Sequence, residues 1–239
     1  MCVSEKHMVK YNHIFFDLDR TIWDFEKNSE ETILELLAEF GLDKKGRLTE
    51  SDFIKTYKAI NHGLWVEYRS GKISKQQLRE ARFYRSMLKY KIDEPELALR
   101  FNDAYVSRCS SKTHLLPHSR EILDYLAKSY ILHIITNGFK EAQHLKIEKS
   151  GIRPYFSEVI VGDEVGINKP DPRIFHHAFE SSTAAPEESI MIGDDFEADI
   201  MGAKEVGMDQ IYFQPNGVKD QNKIATYTVS HLEELKDIL

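Results

Sequence analysis

The stretch His13-Ile14-Phe15-Phe16-Asp17-Leu18-Asp19-Arg20-Thr21 decides the fold. Its apolar run, Ile14 to Phe16, stops abruptly at two acids, Asp17 and Asp19, one residue apart. A short apolar run bounded by polar residues suits a buried strand of a parallel sheet. In such sheets ligands sit beyond the carboxyl ends of the strands, so the two acids emerge where chemistry is expected. In extended chain, residues two apart lean the same way. Two carboxylates that face one small site repel unless a cation or a shared proton intervenes, and a hard cation with oxygen ligands, Mg²⁺ above all, resolves the conflict. Solubilising acids at a strand end are the bland alternative.

Downstream, residues 25–108 read as entirely helical. Ile33, Leu34, Leu36, Leu37 and Phe40 recur at helical spacing, and Gly41 is a stop. Leu48-Thr49-Glu50-Ser51-Asp52 offers N-cap residues for a helix reaching about Tyr68, Ser74 opens one to about Tyr90, and Asp93-Glu94-Pro95 opens another that runs to about Cys109. From Leu116 the texture alternates. Helix 120–128 precedes the β-branched run Tyr130–Ile135, which ends in Thr136-Asn137-Gly138. Helix 139–150 precedes strand 158–161, helix 171–181 precedes strand 189–192, and helix 198–206 precedes strand 210–213. A weak strand at 226–229 and a helix at 231–239 close the chain. Alternating strands and helices imply a parallel sheet with right-handed crossovers. The expected fold is therefore an α/β, Rossmann-like core from residues 1–24 and 109–239, with residues 25–108 inserted as a helical unit after the first strand.

Three apolar strands end in polar clusters: Asp17-Leu18-Asp19, Thr136-Asn137-Gly138 and Gly193-Asp194-Asp195. Asn168-Lys169-Pro170-Asp171-Pro172 lies in a loop before a helix. Acids, a lysine and a Thr-Asn-Gly at a helix start describe a phosphate and metal site, because helix N-termini favour anions. Each has a plainer reading: Thr136 as a cap, Lys169 as a surface lysine, Asp199 as a first-turn acid.

With these residues in place, the chain resembles the haloacid-dehalogenase-like superfamily of aspartyl-phosphate phosphatases. The motifs occur in order: Asp17-Leu18-Asp19-Arg20-Thr21, Thr136-Asn137, Lys169, and Gly193-Asp194 followed by Asp199. The resemblance covers essentially the whole chain from about His13, and the inserted helices look like the superfamily's mobile cap. It implies that Asp17 attacks phosphorus and that Asp19 protonates the leaving oxygen, then activates water. It implies Mg²⁺ held by the Asp17 carboxylate, the Asp19 carbonyl and Asp194. Thr136, Asn137, Gly138 and Lys169 would hold the phosphoryl group, and Asp199, with Asp195 a weaker candidate, would orient the metal site. The dehalogenases of the superfamily lack the second acid, so Asp19 favours phosphate chemistry. It does not separate phosphatases from phosphomutases.

Substrate choice falls to the inserted helices. The pattern Asn61-x-x-Leu64-Trp65-x-x-Tyr68, together with Ile135–Phe139, resembles a branch of nucleotidases acting on pyrimidine nucleoside monophosphates. Trp65 or Tyr68 could stack a base, Asn61 could read its edge, and Arg79 could meet an anion; Trp65 packed between helices is the plainer reading. Lys75, Arg79, Arg82 and Lys89 fall roughly along one stripe, an anion attractor or a solvated face. His62 and His176-His177 have no metal-ligand partners at suitable spacing. Sugar-phosphate or phosphoglycolate phosphatase, phosphomutase, and a binding module with a relict site remain the alternatives.

The bulk composition agrees. A net charge of −7 argues against nucleic acid as the main partner. Two cysteines, Cys2 and Cys109, give no disulfide framework, and Met1–Lys10 shows no signal-peptide core. No apolar run approaches the roughly 20 residues of a membrane span, so the cytoplasm is the expected location.

Overall fold

The computed structural model describes residues 10–42, 48–215, 217 and 224–239. Cys2 and most of Met1–Lys10 lie outside the described residues. Two compact units divide the chain. One comprises residues 1–24, 115–143 and 150–239; the other comprises 25–114 and 144–149.

The first unit is built on strands β1 (His13–Phe16), β2 (Ile131–Thr136), β3 (Phe156–Val161), β4 (Ser189–Gly193), β5 (Asp209–Phe213) and β6 (Tyr227–Val229). Among the described residues these form one parallel sheet in the order β3-β2-β1-β4-β5-β6. β1 is fully buried, as a central strand covered on both faces must be. The order reverses at β1, and this switch point is where open parallel sheets bind ligands. In register, Phe16 lies opposite Ile134 on one side and Ile192 on the other. The residues following β1, β2 and β4 therefore leave the sheet side by side. Phe15, Ile135, Ile160 and Met191 pack with Phe175 and Phe179 of helix Pro172–Ser182 into the core.

The second unit holds α1 (Phe25–Glu39), α2 (Glu50–Arg69), α3 (Lys75–Leu88) and α4 (Pro95–Cys109). Thr49 caps α2, and Ser74 with Gln77 forms a capping box on α3. Aromatic side chains fill the interior. Tyr57 stacks on Phe83 with centroids 4.7 Å apart, and Phe83 leans on Phe101 at 4.8 Å. Asn28 ties the two ends of the unit, donating to the His114 carbonyl at 2.9 Å and accepting from its N–H at 3.2 Å.

Helix boundaries elsewhere follow the sequence reading, with three differences. The expected helix 198–206 is a π-helical turn, Phe196–Met201, followed by a short α-helix, Gly202–Glu205. The Asp195 carboxylate caps this turn, accepting from the Ala198 N–H at 3.0 Å, and Asp199 on the turn is buried. The closing helix 231–239 is a 3₁₀ segment, Leu232–Asp237. A one-turn helix, Gly162–Val165, follows β3 and is ended by Gly166 in the left-handed region, φ 75. No helix among the described residues is long and apolar enough to cross a membrane.

Candidate active site

Asp17 is the last residue held by the sheet; its N–H donates to the Ile192 carbonyl at 2.9 Å. The chain then turns back on itself. The N–H groups of Ile22 and Trp23 both donate to the Leu18 carbonyl, at 3.0 and 2.8 Å, and Arg20 takes a left-handed φ of 68. This tight loop keeps Asp17 and Asp19 at the edge where β2 and β4 also end.

Lys169 reaches that edge from the loop before helix Pro172–Ser182 and is 1% exposed. Its ammonium donates to Asp17 Oδ1 at 2.8 Å, to Asp199 Oδ1 at 2.6 Å and to the Ile135 carbonyl at 2.6 Å. All three donors of the ammonium are thereby used. Burial alone would drive the proton off Lys169, but the two carboxylates outweigh it and hold the lysine charged, above its ordinary range.

The acids carry the opposite imbalance. Burial pushes the Asp17 carboxyl up to about 7, with Lys169 offsetting only part of it and Asp199 adding to it. Burial, then Asp17 and Asp199, push Asp194 well above the usual carboxylate range. The carboxylate oxygens of Asp17, Asp194 and Asp199 lie within 4.8 Å of one another, with Lys169 the ammonium between two of them. Three carboxylates against one ammonium leave negative charge that a divalent, oxygen-seeking cation neutralises, so the donor set fits Mg²⁺. Both Asp199 oxygens are already occupied, Oδ1 by Lys169 and Oδ2 by the Asp195 N–H at 3.0 Å. Asp199 therefore braces the cluster, and Asp17 and Asp194 are the carboxylates that could hold a cation. A side chain at Gly193 would overlap the Asp199 carboxylate, which is why glycine ends β4.

The Asn137 side chain has a structural partner. Its Nδ2 donates to the Lys169 carbonyl at 2.8 Å and its Oδ1 accepts from the Lys169 N–H at 2.7 Å. The side chain is spent on fixing the lysine loop and does not face outward. Thr136 is buried, donates to Gln143 Oε1 at 3.3 Å and accepts from the Gly138 N–H at 3.4 Å. Gln143 also donates from Nε2 to Asp19 Oδ2 at 3.0 Å. Nothing in the sequence singles out Gln143; it is one polar residue on a helix, and only the fold brings it against Asp19.

In the helical unit, Trp65 and Tyr68 are half-buried and meet edge to face, centroids 5.5 Å apart. Arg79 pairs with Asp103 at 2.8 Å on the surface. Asn61 is buried, and its Oδ1 has no hydrogen-bond partner among the described residues. Arg82 leaves the expected basic stripe: it is 4% exposed, because it shares the inward face of α3 with Leu78, Ser86 and Phe83. Its Nε donates to Asn102 Oδ1 at 2.7 Å, and its guanidinium lies 5.1 Å from the Tyr105 ring centroid. Its Nη2 has no hydrogen-bond partner among the described residues.

A parallel sheet ordered 3-2-1-4-5-6, with acids after β1 and β4 around a buried lysine, defines the class. The chain belongs to the haloacid dehalogenase-like hydrolases, whose family pattern matches residues 14–213. Over 97% of its length it is 32% identical to the pyrimidine 5′-nucleotidase YjjG of Escherichia coli, covering 99% of that protein. It is 30% identical to the pyrimidine 5′-nucleotidase PynA of Streptococcus pneumoniae, over 96% of this chain and 95% of that one. The solved structure of the hydrolase YfnB from Bacillus subtilis, bound to magnesium, superposes with a TM-score of 0.85 at 28% identity, covering 96% of this chain and 99% of that one.

Proposed function

We propose that this hydrolase is a Mg²⁺-dependent phosphomonoesterase that works through an aspartyl-phosphate on Asp17, with nucleoside 5′-monophosphates, pyrimidine ones preferred, as substrates. The observation that carries the reading is the buried Asp17 carboxylate, paired with a charged lysine at the switch point of the sheet and close to Asp194. Similarity to two pyrimidine 5′-nucleotidases supports the choice of substrate.

In this reading an Asp17 oxygen bonds to phosphorus as the ester P–O bond breaks, and Asp19 gives its proton to the departing oxygen. Asp19 then takes a proton from water; the water oxygen bonds to phosphorus and the Asp17–phosphorus bond breaks, releasing phosphate. Lys169 keeps Asp17 oriented and tempers its charge. Thr136 and the backbone N–H groups of Asn137 and Gly138 meet the phosphoryl oxygens. Asp17, the Asp19 carbonyl and Asp194 would hold Mg²⁺, which neutralises phosphoryl charge when bound. Residues 25–108 act as the cap that selects the substrate, through Asn61, Trp65, Tyr68 and Arg79. The buried Asn61 Oδ1 and Arg82 Nη2 add an acceptor and a donor suited to the polar edge of a base.

A panel of nucleoside monophosphates, sugar phosphates and phosphoglycolate, assayed by phosphate release with Mg²⁺, tests the reading. Pyrimidine nucleotides should lead the panel, and Asp17→Asn should abolish turnover with the fold intact. Turnover of sugar phosphates with nucleotides untouched removes the nucleotidase reading. Undiminished turnover by Asp17→Asn removes the covalent one.

A further inference from the structure

Gln143 is buried to 1% exposure, although a glutamine with no structural task is usually at the surface. Its amide joins two groups from different strand ends. Nε2 donates to Asp19 Oδ2, beyond β1, at 3.0 Å; Oε1 accepts from Thr136 Oγ1, at the end of β2, at 3.3 Å. The carboxylate can only accept, so the amide nitrogen must face Asp19 and the amide oxygen must face Thr136. The neighbouring Gly138 leaves the space the amide fills, since a side chain there would overlap the Gln143 carboxamide. Gly138 also donates its N–H to the Thr136 hydroxyl at 3.4 Å. Gln143 lies in the first turn of helix Lys140–Lys149, so the amide sits on a regular element and not on a loop.

We infer that Gln143 is a positioning residue for the acid–base step: it fixes the carboxyl of Asp19 and couples it to the Thr136 hydroxyl. This rests on the phosphomonoesterase reading above and deepens it. A donor held on Oδ2 fixes the rotation of the carboxyl group, so Asp19 presents one defined oxygen to the leaving group. The same amide accepts a long, weak hydrogen bond from the Thr136 hydroxyl. When a phosphoryl oxygen arrives, that hydroxyl can turn to it at small cost. Gln143 touches neither substrate nor metal in this account; it acts through Asp19 and Thr136. An acid placed by a rigid partner matters most where the leaving oxygen most needs a proton.

The test compares two esters on the full-length enzyme with Mg²⁺. A nucleoside 5′-monophosphate expels an alkoxide, which needs a proton; p-nitrophenyl phosphate expels a phenolate, which hardly does. For both, kcat/KM covers the steps through departure of the leaving group. Gln143→Met keeps the length and volume and removes both amide functions. It should lower kcat/KM for the nucleotide by about 10²-fold and for the aryl ester by less than about 10-fold. Gly138→Ala, whose Cβ would overlap the Gln143 carboxamide and push it off Asp19 while keeping both amide functions, should give the same unequal loss. Equal losses on both esters, or no loss on either, overturn the positioning role. If Gln143→Met does not fold, Gly138→Ala alone decides by the same ratio. Full activity in Asp17→Asn would instead overturn the underlying reading, so the two failures are distinguishable.

Discussion

The Lys169 ammonium lies 2.8 Å from Asp17 Oδ1, and both side chains are buried. The lysine is thus the counter-charge for a carboxylate that burial alone would protonate. A second buried carboxylate, Asp199, completes the arrangement at 2.6 Å.

Removing the lysine should be costly to the fold as well as to activity. Lys169→Met leaves Asp17 and Asp199 buried without a cation, and breaking a buried pair from one side costs about 3–5 kcal/mol. Urea unfolding should show that loss, and Lys169→Met combined with Asp199→Asn should recover part of it. An unchanged unfolding midpoint in the single variant would show that the pair contributes nothing to stability.

The excess of carboxylates should make stability respond to Mg²⁺. Binding to the folded state alone adds about 2.7 kcal/mol at a free ion concentration a hundred times the Kd. A rise in Tm with added Mg²⁺, lost in Asp194→Asn, is the expected outcome. Chelation should remove activity, and added Mg²⁺ should restore it. A variant that keeps the full Tm response would place the ion elsewhere.

A pair of histidines inside the sheet should set part of the response to acid. His13 Nδ1 and His133 Nε2 lie 3.0 Å apart, both buried, on β1 and β2. Burial, and then the nearby His13, lower His133 from 6.5 to about 4. The unfolded chain therefore binds the extra proton first. The stability this pair contributes is whole above pH 6.5 and is lost as pH falls toward about 4, by on the order of 3 kcal/mol. Denaturant midpoints at pH 5, 6 and 7.5 should fall with acid, and the slope should flatten in His133→Leu. An identical slope in that variant would assign the acid response to other groups.

Arg82 should separate stability from substrate choice. Its guanidinium is buried, and its Nη2 has no hydrogen-bond partner among the described residues. Arg82→Met should fold with a modestly lower Tm, since the buried Asn102 Oδ1 loses the donor that Arg82 Nε supplies. If Arg82 reads the base, KM for pyrimidine nucleotides should rise by roughly 10–100-fold, the worth of a charge-assisted hydrogen bond. A large loss of Tm with KM unchanged would make Arg82 a structural residue.

Much of this is legible in the chain itself. The run Ile14–Phe16 ending in Asp17 and Asp19, and the β-branched run ending in Thr136, mark strands by length and composition, which local propensity is able to report. The caps at Thr49 and Ser74 and the stop at Gly41 work within a few residues, so they too are written locally. The π-helical turn at Phe196–Met201 was hidden, because a helical period of apolar residues does not distinguish a wide turn from an α-helix.

The order of residues along the chain is enough to set the alternation of strands and helices, the acids and the hydroxyl at strand ends, and a lysine in the loop before a helix. Those are properties of neighbours along the chain. Which of these groups meet is a matter of folding: Lys169 with Asp17 and Asp199, the Asn137 side chain with the lysine loop, Gln143 with Asp19, and Arg82 inside its helices. These contacts join residues up to 152 positions apart. They follow from strand order and register, which place distant segments side by side and are not encoded in any one segment.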